Sequence, residues 1–168
     1  MKRLPASIIP MVLVLTISAG CSGTAGTSSG DEKQVRQAFT ALQEALKAKD
    51  AEKIWGLLDA DGQADAESRA RAVRDAYAKA SPAEKAKQEK QLGLPGKELS
   101  TLKGIGYLKT RLFLGKHHEI PDSEIEKVTV QGDQATVFYV EEDGDHEKLK
   151  LVREGGKWKV SNLDMPKP

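Results

Sequence analysis

The chain has 168 residues, with 26 Lys and Arg against 25 Asp and Glu and a formal net charge of +1. That near balance excludes the long-range pull on nucleic acid or on an anionic membrane that a strongly basic chain exerts. A single cysteine excludes an internal disulfide, and with aromatics at only 5% of the residues the core must be built largely from small side chains.

Lys2 and Arg3 open the chain, a nearly all-apolar run follows from Ile8 to Ile17, and Ser18, Ala19 and Gly20 lead into Cys21. Basic, apolar and small-residue regions in that order are the layout of a secretory signal. The run is too short to span a bilayer, which takes about 20 apolar residues; Pro10 interrupts it and Pro5 stands just ahead of it. The segment resembles the bacterial lipobox, departing from it at Ser18, where a lipobox usually has Leu. A free Cys21 on an exported protein would be open to oxidation and unwanted pairing. The resemblance implies a signal peptide over residues 1–20, lipid attachment at Cys21, and a cell-envelope location on the exported side of a bacterial membrane. The membrane is then a partner through the N-terminal lipid, and more than one acyl chain is needed for firm anchoring. Without residues 1–20 the chain keeps 148 residues, about one domain, with 24 basic against 25 acidic side chains and a formal charge of −1.

Ser22 to Gly30 contains only Ser, Gly, Thr and Ala, too little apolar surface to offset ordering entropy, so residues 21–30 read as a flexible tether. The domain is expected over residues 31–168. Asp31 and Gln34 have capping-box spacing, and Val35, Phe39, Leu42 and Leu46 then share one helical face. Asp50 restarts a shorter helix with Ile54, Leu57 and Leu58 inward and Trp55 beside them. A third helix is predicted between Ala64 and Ala80, with Ala70, Val73 and Tyr77 on its apolar face. Ser81, Pro82 and Glu84 supply a cap, a first-turn proline and a capping-box acid. That fourth helix ends near Gly93, before Pro95. Leu99, Leu102, Ile105, Leu108 and Leu112 predict one or two further short helices, broken by flexibility around Gly104 and Gly106.

After Pro121 the period becomes two. Val128 and Val130 alternate with polar neighbours up to a turn at Gly132 and Asp133. Ala135, Val137 and Tyr139 share one face of the next strand. Asp143 and Gly144 are a strong hairpin signal. Leu149 and Leu151 mark a third strand, and Gly155 and Gly156 turn into a fourth carrying Trp158 and Val160. These spacings predict an α+β fold, N-terminal helices packed on one face of a C-terminal four-stranded antiparallel meander.

Helices followed by a meander that closes on Gly155-Gly156-Lys157-Trp158-Lys159-Val160 resemble the nuclear-transport-factor-2-like superfamily. The opening helix over Val35 to Lys47 and the restart at Asp50-Ala51-Glu52-Lys53 resemble it too. The likeness implies a cone-shaped α+β domain over about Asp31 to Leu163, with Trp158 packing the last strand against the helices. The stretch from Ala64 to Leu114 is longer than in the simplest members. The superfamily holds isomerases, dehydratases, cyclases and plain binding modules, so fold does not convey function.

The densest set of possible metal ligands is His117, His118 and Glu119 with Asp122, within approach of His146 from a strand end. No ligand pair there has the helical three- or four-residue spacing of a metalloenzyme, so the segment reads as a polar loop. Glu141, Glu142, Asp143 and Asp145 form an acidic hairpin tip, but Leu149, Lys150 and Leu151 break any EF-hand pattern. Lys79, Lys85, Lys87 and Lys90 among Glu84 and Glu89 read as an exposed helix face. Gly104 and Gly106 follow no strand, which argues against a phosphate loop, and no serine has a nucleophile-elbow frame. The sequence therefore assigns no catalytic, cofactor or metal residue and expects no nucleic-acid partner. It points to a non-catalytic binding or structural module, its small-molecule or protein partner unnamed. One alternative is a pocket enzyme of the same superfamily, with Tyr139, Trp158 or His118 lining a cavity; another is an assembly partner using the helical face of Ala70 to Leu92. An open or sealed concave sheet face separates the first two.

Overall fold

The computed structural model describes residues 29–161 and 163–168; the signal segment, Cys21 and the tether as far as residue 28 lie outside them. The first helix, α1 (Ser29–Lys47), buries Val35, Phe39, Leu42 and Leu46 together with Ala45. It begins two residues before Asp31, within the stretch expected as tether, so Asp31 is a first-turn acid rather than a cap. A carboxylate there complements the helix dipole, and it also meets the Arg153 guanidinium at 2.6 Å.

Helix α2 (Ala51–Leu57) starts at Asp50, whose side chain accepts from the Lys53 amide at 3.1 Å. That bond satisfies a donor that the first helical turn leaves open. Helix α3 (Ala60–Lys79) starts four residues ahead of expectation because Asp59 caps it through the Gly62 amide at 2.7 Å. Its buried face is Ala66, Ala70, Val73 and Tyr77. Helix α4 (Pro82–Leu92) has the predicted capping box between Ser81 and Glu84, and ends on Gly93 at a φ of 72°. Only glycine enters that left-handed region without steric cost.

Three short helices follow where one or two were expected: α5 (Gly96–Leu99), α6 (Gly104–Tyr107) and α7 (Arg111–Lys116). Gly104 is not a point of flexibility. It opens α6 against α3, its amide donating to Glu67 Oε2 at 2.6 Å, while Arg74 of α3 donates to the Leu102 carbonyl. A Cβ on Gly104 would stand 2.7 Å from the Trp55 ring and 2.9 Å from the Glu67 backbone nitrogen.

A 3-10 turn (Ile120–Asp122) leads into strands β1 (Glu124–Gln131), β2 (Gln134–Val140), β3 (His146–Glu154) and β4 (Lys157–Val160). They form one antiparallel meander in the order β1-β2-β3-β4, and the chain is α+β as expected. Val130, Ala135, Val137, Tyr139, Leu149, Leu151, Trp158 and Val160 are buried on one face, where α1 and α2 lie. A shift in pairing between Ile125 and Lys127 keeps Ile125 on that same side, opposite Tyr139. Such a bulge also interrupts the free edge of β1, which discourages pairing with another chain. Leu163 and Met165 of the C-terminal tail are buried, and Tyr107 donates its hydroxyl to the Pro166 carbonyl. The tail is thus part of the core.

The close approach at Gly104 predicts that Gly104→Ala costs about 1–3 kcal/mol, as overpacking of a rigid contact does. Gly115→Ala in α7, where a Cβ meets nothing within 4 Å, should instead raise stability by about 0.5–1 kcal/mol. Urea unfolding of the two variants checks both signs, and equal effects would refute the packing account.

Candidate functional site

Strand β2 carries its inward residues at odd positions, and the same parity continues past Tyr139 to Glu141. On β3, Glu147 pairs with Tyr139 and projects on the same side. The segment after α7 brings Lys116, His117 and Glu119 to this end of the sheet, and the tail brings Leu163 and Asp164. Together they wall a cleft of about 310 Å³ at the hairpin end of the helix–sheet sandwich.

His117 forms the dry wall of the cleft. Only 4% of it is exposed, and its ring meets the Phe113 ring at 4.8 Å, tilted by 60°. Burial lowers its pKa, so the imidazole is neutral at neutral pH. Its Nε2 stands 2.8 Å from the Asp164 carbonyl; a carbonyl only accepts, so Nε2 bears the proton and Nδ1 is the bare nitrogen. Lys116 sits 3.9 Å from the Asp164 carboxylate.

Glu141 is the perturbed acid. Burial first, then hydrogen bonding to and repulsion from Glu119, with Glu147 and Asp143 adding their charge, raise its pKa to about 7. Carboxyl oxygens of Glu119, Glu141 and Asp143 lie within 4.8 Å of one another. Like charges that close disfavour full ionisation, so one proton is retained into the neutral range. Burial, reinforced by Glu141 and Glu147, also pushes the Tyr139 hydroxyl up to about 12. It therefore stays a hydrogen-bond donor at neutral pH. The cleft offers a protonated carboxyl of near-neutral pKa, a phenol and a neutral imidazole, a set suited to polar recognition or proton transfer. Its carboxylate oxygens would suit a hard cation better than a transition metal.

The possible metal ligands of the sequence do not converge. His118 projects into solvent with 67% of its side chain exposed, 3.5 Å from Glu119. Asp122 is taken by Lys47 of α1 at 2.7 Å. His146 pairs with Glu126 at 2.9 Å, beside Glu124 and Val140 rather than the inward residues. Of the four hairpin acids, Glu141 and Asp143 enter the cluster and Glu119 joins from the loop. Sequence reading missed the Glu119–Glu141 pairing, although the unbroken parity of Ala135, Val137, Tyr139 and Glu141 was its visible signal.

Two further regions resolve simply. In the lysine-bearing helix, Lys85 lies 5.3 Å over the Tyr77 ring, and Tyr77 donates to Glu89 at 2.5 Å. In the Ala70 to Leu92 stretch Ala70, Val73, Tyr77 and Leu92 face the core, while Ala72, Ala76, Ala83 and Ala86 are exposed. Among the described residues, no helix is long and apolar enough to cross a membrane. The fold and site define an α+β domain with an acidic cleft at one end of its sheet. No protein-family profile, curated protein or solved structure matches the chain.

The proton on Glu141 makes stability fall as pH rises. Between the ordinary glutamate value of 4.5 and about 7, the folded chain binds a proton that the unfolded chain has released. Its contribution is therefore full below that window and lost as pH passes through about 7. Glu141→Gln, which keeps the hydrogen bonding of the protonated acid, should flatten this dependence. At pH 8 it should gain about 1 kcal/mol, a figure held down by solvent screening of a partly exposed pair. Thermal melts of both proteins from pH 5 to pH 8 decide, and parallel curves would sink the assignment.

Proposed function

We propose that this protein is a lipid-anchored domain of the bacterial cell envelope with a non-catalytic binding or structural role. The observation that carries the binding reading is the seal between helix and sheet. Phe39 of α1 lies against Tyr139 with ring centroids 5.2 Å apart, and Val35, Leu42, Val137 and Leu151 are fully buried around them. Side chains therefore fill the concave face on which a pocket enzyme would keep its cavity. Trp158 belongs to this core, with the Arg153 guanidinium 4.6 Å over its ring, while His118 stands outside. What is open is the cleft at the hairpin end, mainly polar and, at about 310 Å³, of a size for a small group or a side chain of a protein segment. The likeness to the nuclear-transport-factor-2-like superfamily remains part of this reading. An opening helix laid across a meander that ends on Lys157-Trp158 supports it.

One observation favours the second reading, a small-molecule isomerase- or dehydratase-like enzyme: Glu141, with its pKa near 7, shares the cleft with Tyr139. General acid–base chemistry is efficient when the catalytic pKa lies near the working pH.

Both parts of the proposal are testable. Cells given an alkyne-bearing fatty acid should label the parent chain and not Cys21→Ala; an unlabelled parent would remove the anchor. The purified full chain, screened by thermal shift against small metabolites, should be stabilised by about 2.7 kcal/mol at a hundred times the dissociation constant of a true ligand. That ligand should be recovered chemically unchanged after prolonged incubation, and its conversion would instead establish the enzyme reading.

A further inference from the structure

The sheet has a second face, turned away from α1 and α2. Across its strands run the row Lys127, Phe138 and Lys148 and then the row Thr129, Thr136 and Lys150. The three lysines are exposed and Phe138 is half-buried between two of them. Among the described residues, Lys127 and Lys148 have no ion-pair partner. Acids are densest towards the hairpin end of the strands, while the other end carries Asp133 and Glu154 beside Arg153 and Lys157. Glu124 and Glu126 lie towards the hairpin end, followed by Glu141, Glu142, Asp143 and Asp145 at the tip. At the other end α1 begins, fixed by Asp31 on Arg153, about 28 Å from its own C-terminus at 1.5 Å per residue.

We propose that this outward face docks on an anionic lipid bilayer, with Lys127, Lys148 and Lys150 at the headgroups, Phe138 at the interfacial level and the acidic tip tilted away. Three observations single out a bilayer as the occupant. The described domain begins at Ser29, at the far end from the acidic tip, so the 28 residues that precede it join it there. The seven residues after Cys21 reach at most about 25 Å, so an anchored Cys21 keeps the face within reach of the surface at high effective concentration. Lysines around an aromatic ring on an open face are the pairing that anionic headgroups and the interfacial layer attract. The proximity argument rests on the anchored reading above; the charge argument does not. The consequence is a fixed orientation: the cleft of Glu119 and Glu141, bordered on one side by Lys148, opens beside the docking face at the end that tilts away from the membrane.

The test uses the full chain purified from bacterial membranes and reconstituted into vesicles, either phosphatidylcholine alone or with phosphatidylglycerol added. An amine-acetylating reagent is applied, and each lysine is read by mass spectrometry. Labelling of Lys127 and Lys148 should fall on the order of fivefold in the anionic vesicles, relative to the exposed Lys79 and Lys87. It should recover in high salt, where the Debye length shrinks to about 3 Å at 1 M, and stay unchanged in neutral vesicles. Lys127→Gln with Lys148→Gln should keep the parent melting temperature while Lys150 loses its protection. Equal labelling in both vesicles would overturn the proposal. So would protection of the same lysines in detergent without vesicles, which would assign the face to a second copy or another protein. Flotation separates this proposal from the anchor. A chain that floats only with anionic vesicles has the docking face without a lipid, and one that floats with both but shows equal labelling has the lipid without the docking face.

Discussion

The packing of α1 across the sheet is the constraint on which the rest of this structure depends. Its centre is apolar, Phe39 on Tyr139 with Val35 and Leu42 alongside, and each such side chain contributes about 1.5–3 kcal/mol by burial. Its ends are polar and set the register. At the start, Arg153 reaches Asp31 at 2.6 Å and Asp133 at 3.2 Å while stacking over Trp158. Near the end, the Gln43 side-chain amide donates to the carbonyls of Ser123 at 2.8 Å and Ile120 at 3.1 Å. A partly exposed ion pair contributes well under the burial of one aromatic ring. The core therefore holds the helix down, and the polar contacts decide where along the sheet it lies.

That placement explains why the cleft is at the hairpin end. The inward parity of β2 runs two residues beyond the apolar cover, so Glu141 arrives where the core stops and water begins. Burial there is incomplete, which leaves the acid able to titrate. It is still enough, with Glu119 and Glu147 nearby, to raise its pKa. His117 completes the boundary from the other side, its ring packed on Phe113 and its proton committed to the Asp164 carbonyl. The chemistry of the cleft follows from its position at the rim of a filled sandwich.

What could be read in the sequence was what local chemistry determines. The Asp50 and Ser81 caps, the Gly93 stop, the helical stripe of α1 and the three glycine turns are each set by a few neighbouring residues, and the structure has them all. The errors lie where neighbouring signals compete or where distant segments decide. Asp59 sits between Leu58 and α3, and its role as a cap was masked by the polar run from Asp61 to Asp65. Gly104 reads alone as a helix breaker, yet Trp55 and Glu67 from two other helices require its lack of a side chain. The start of α1 reads late in the sequence because Ser29 and Gly30 look like tether, although the helix that follows carries them along. The acidic pair of the cleft is the extreme case, since Glu119 and Glu141 meet only once the meander has formed.

Charge follows the same division between what composition states and what the fold arranges. The chain is nearly neutral in sum, which removes any long-range field, but neutrality in sum says nothing about distribution. Alternation along β1, β2 and β3 sends Lys127, Lys148 and Lys150 to the outward face because the inward positions are taken by Val128, Val137, Leu149 and Leu151. The hairpin turn collects Glu142, Asp143 and Asp145 because a tight solvated turn tolerates acids that the buried positions of a strand would not. Packing the apolar residues inward thus produces, without any further requirement, a molecule with a basic face and an acidic end. Such an arrangement is too weak to capture a distant partner across a Debye length of about 8 Å in physiological salt. It is well suited to orient a domain already held at a surface, because orientation needs only a difference in energy between one face and another.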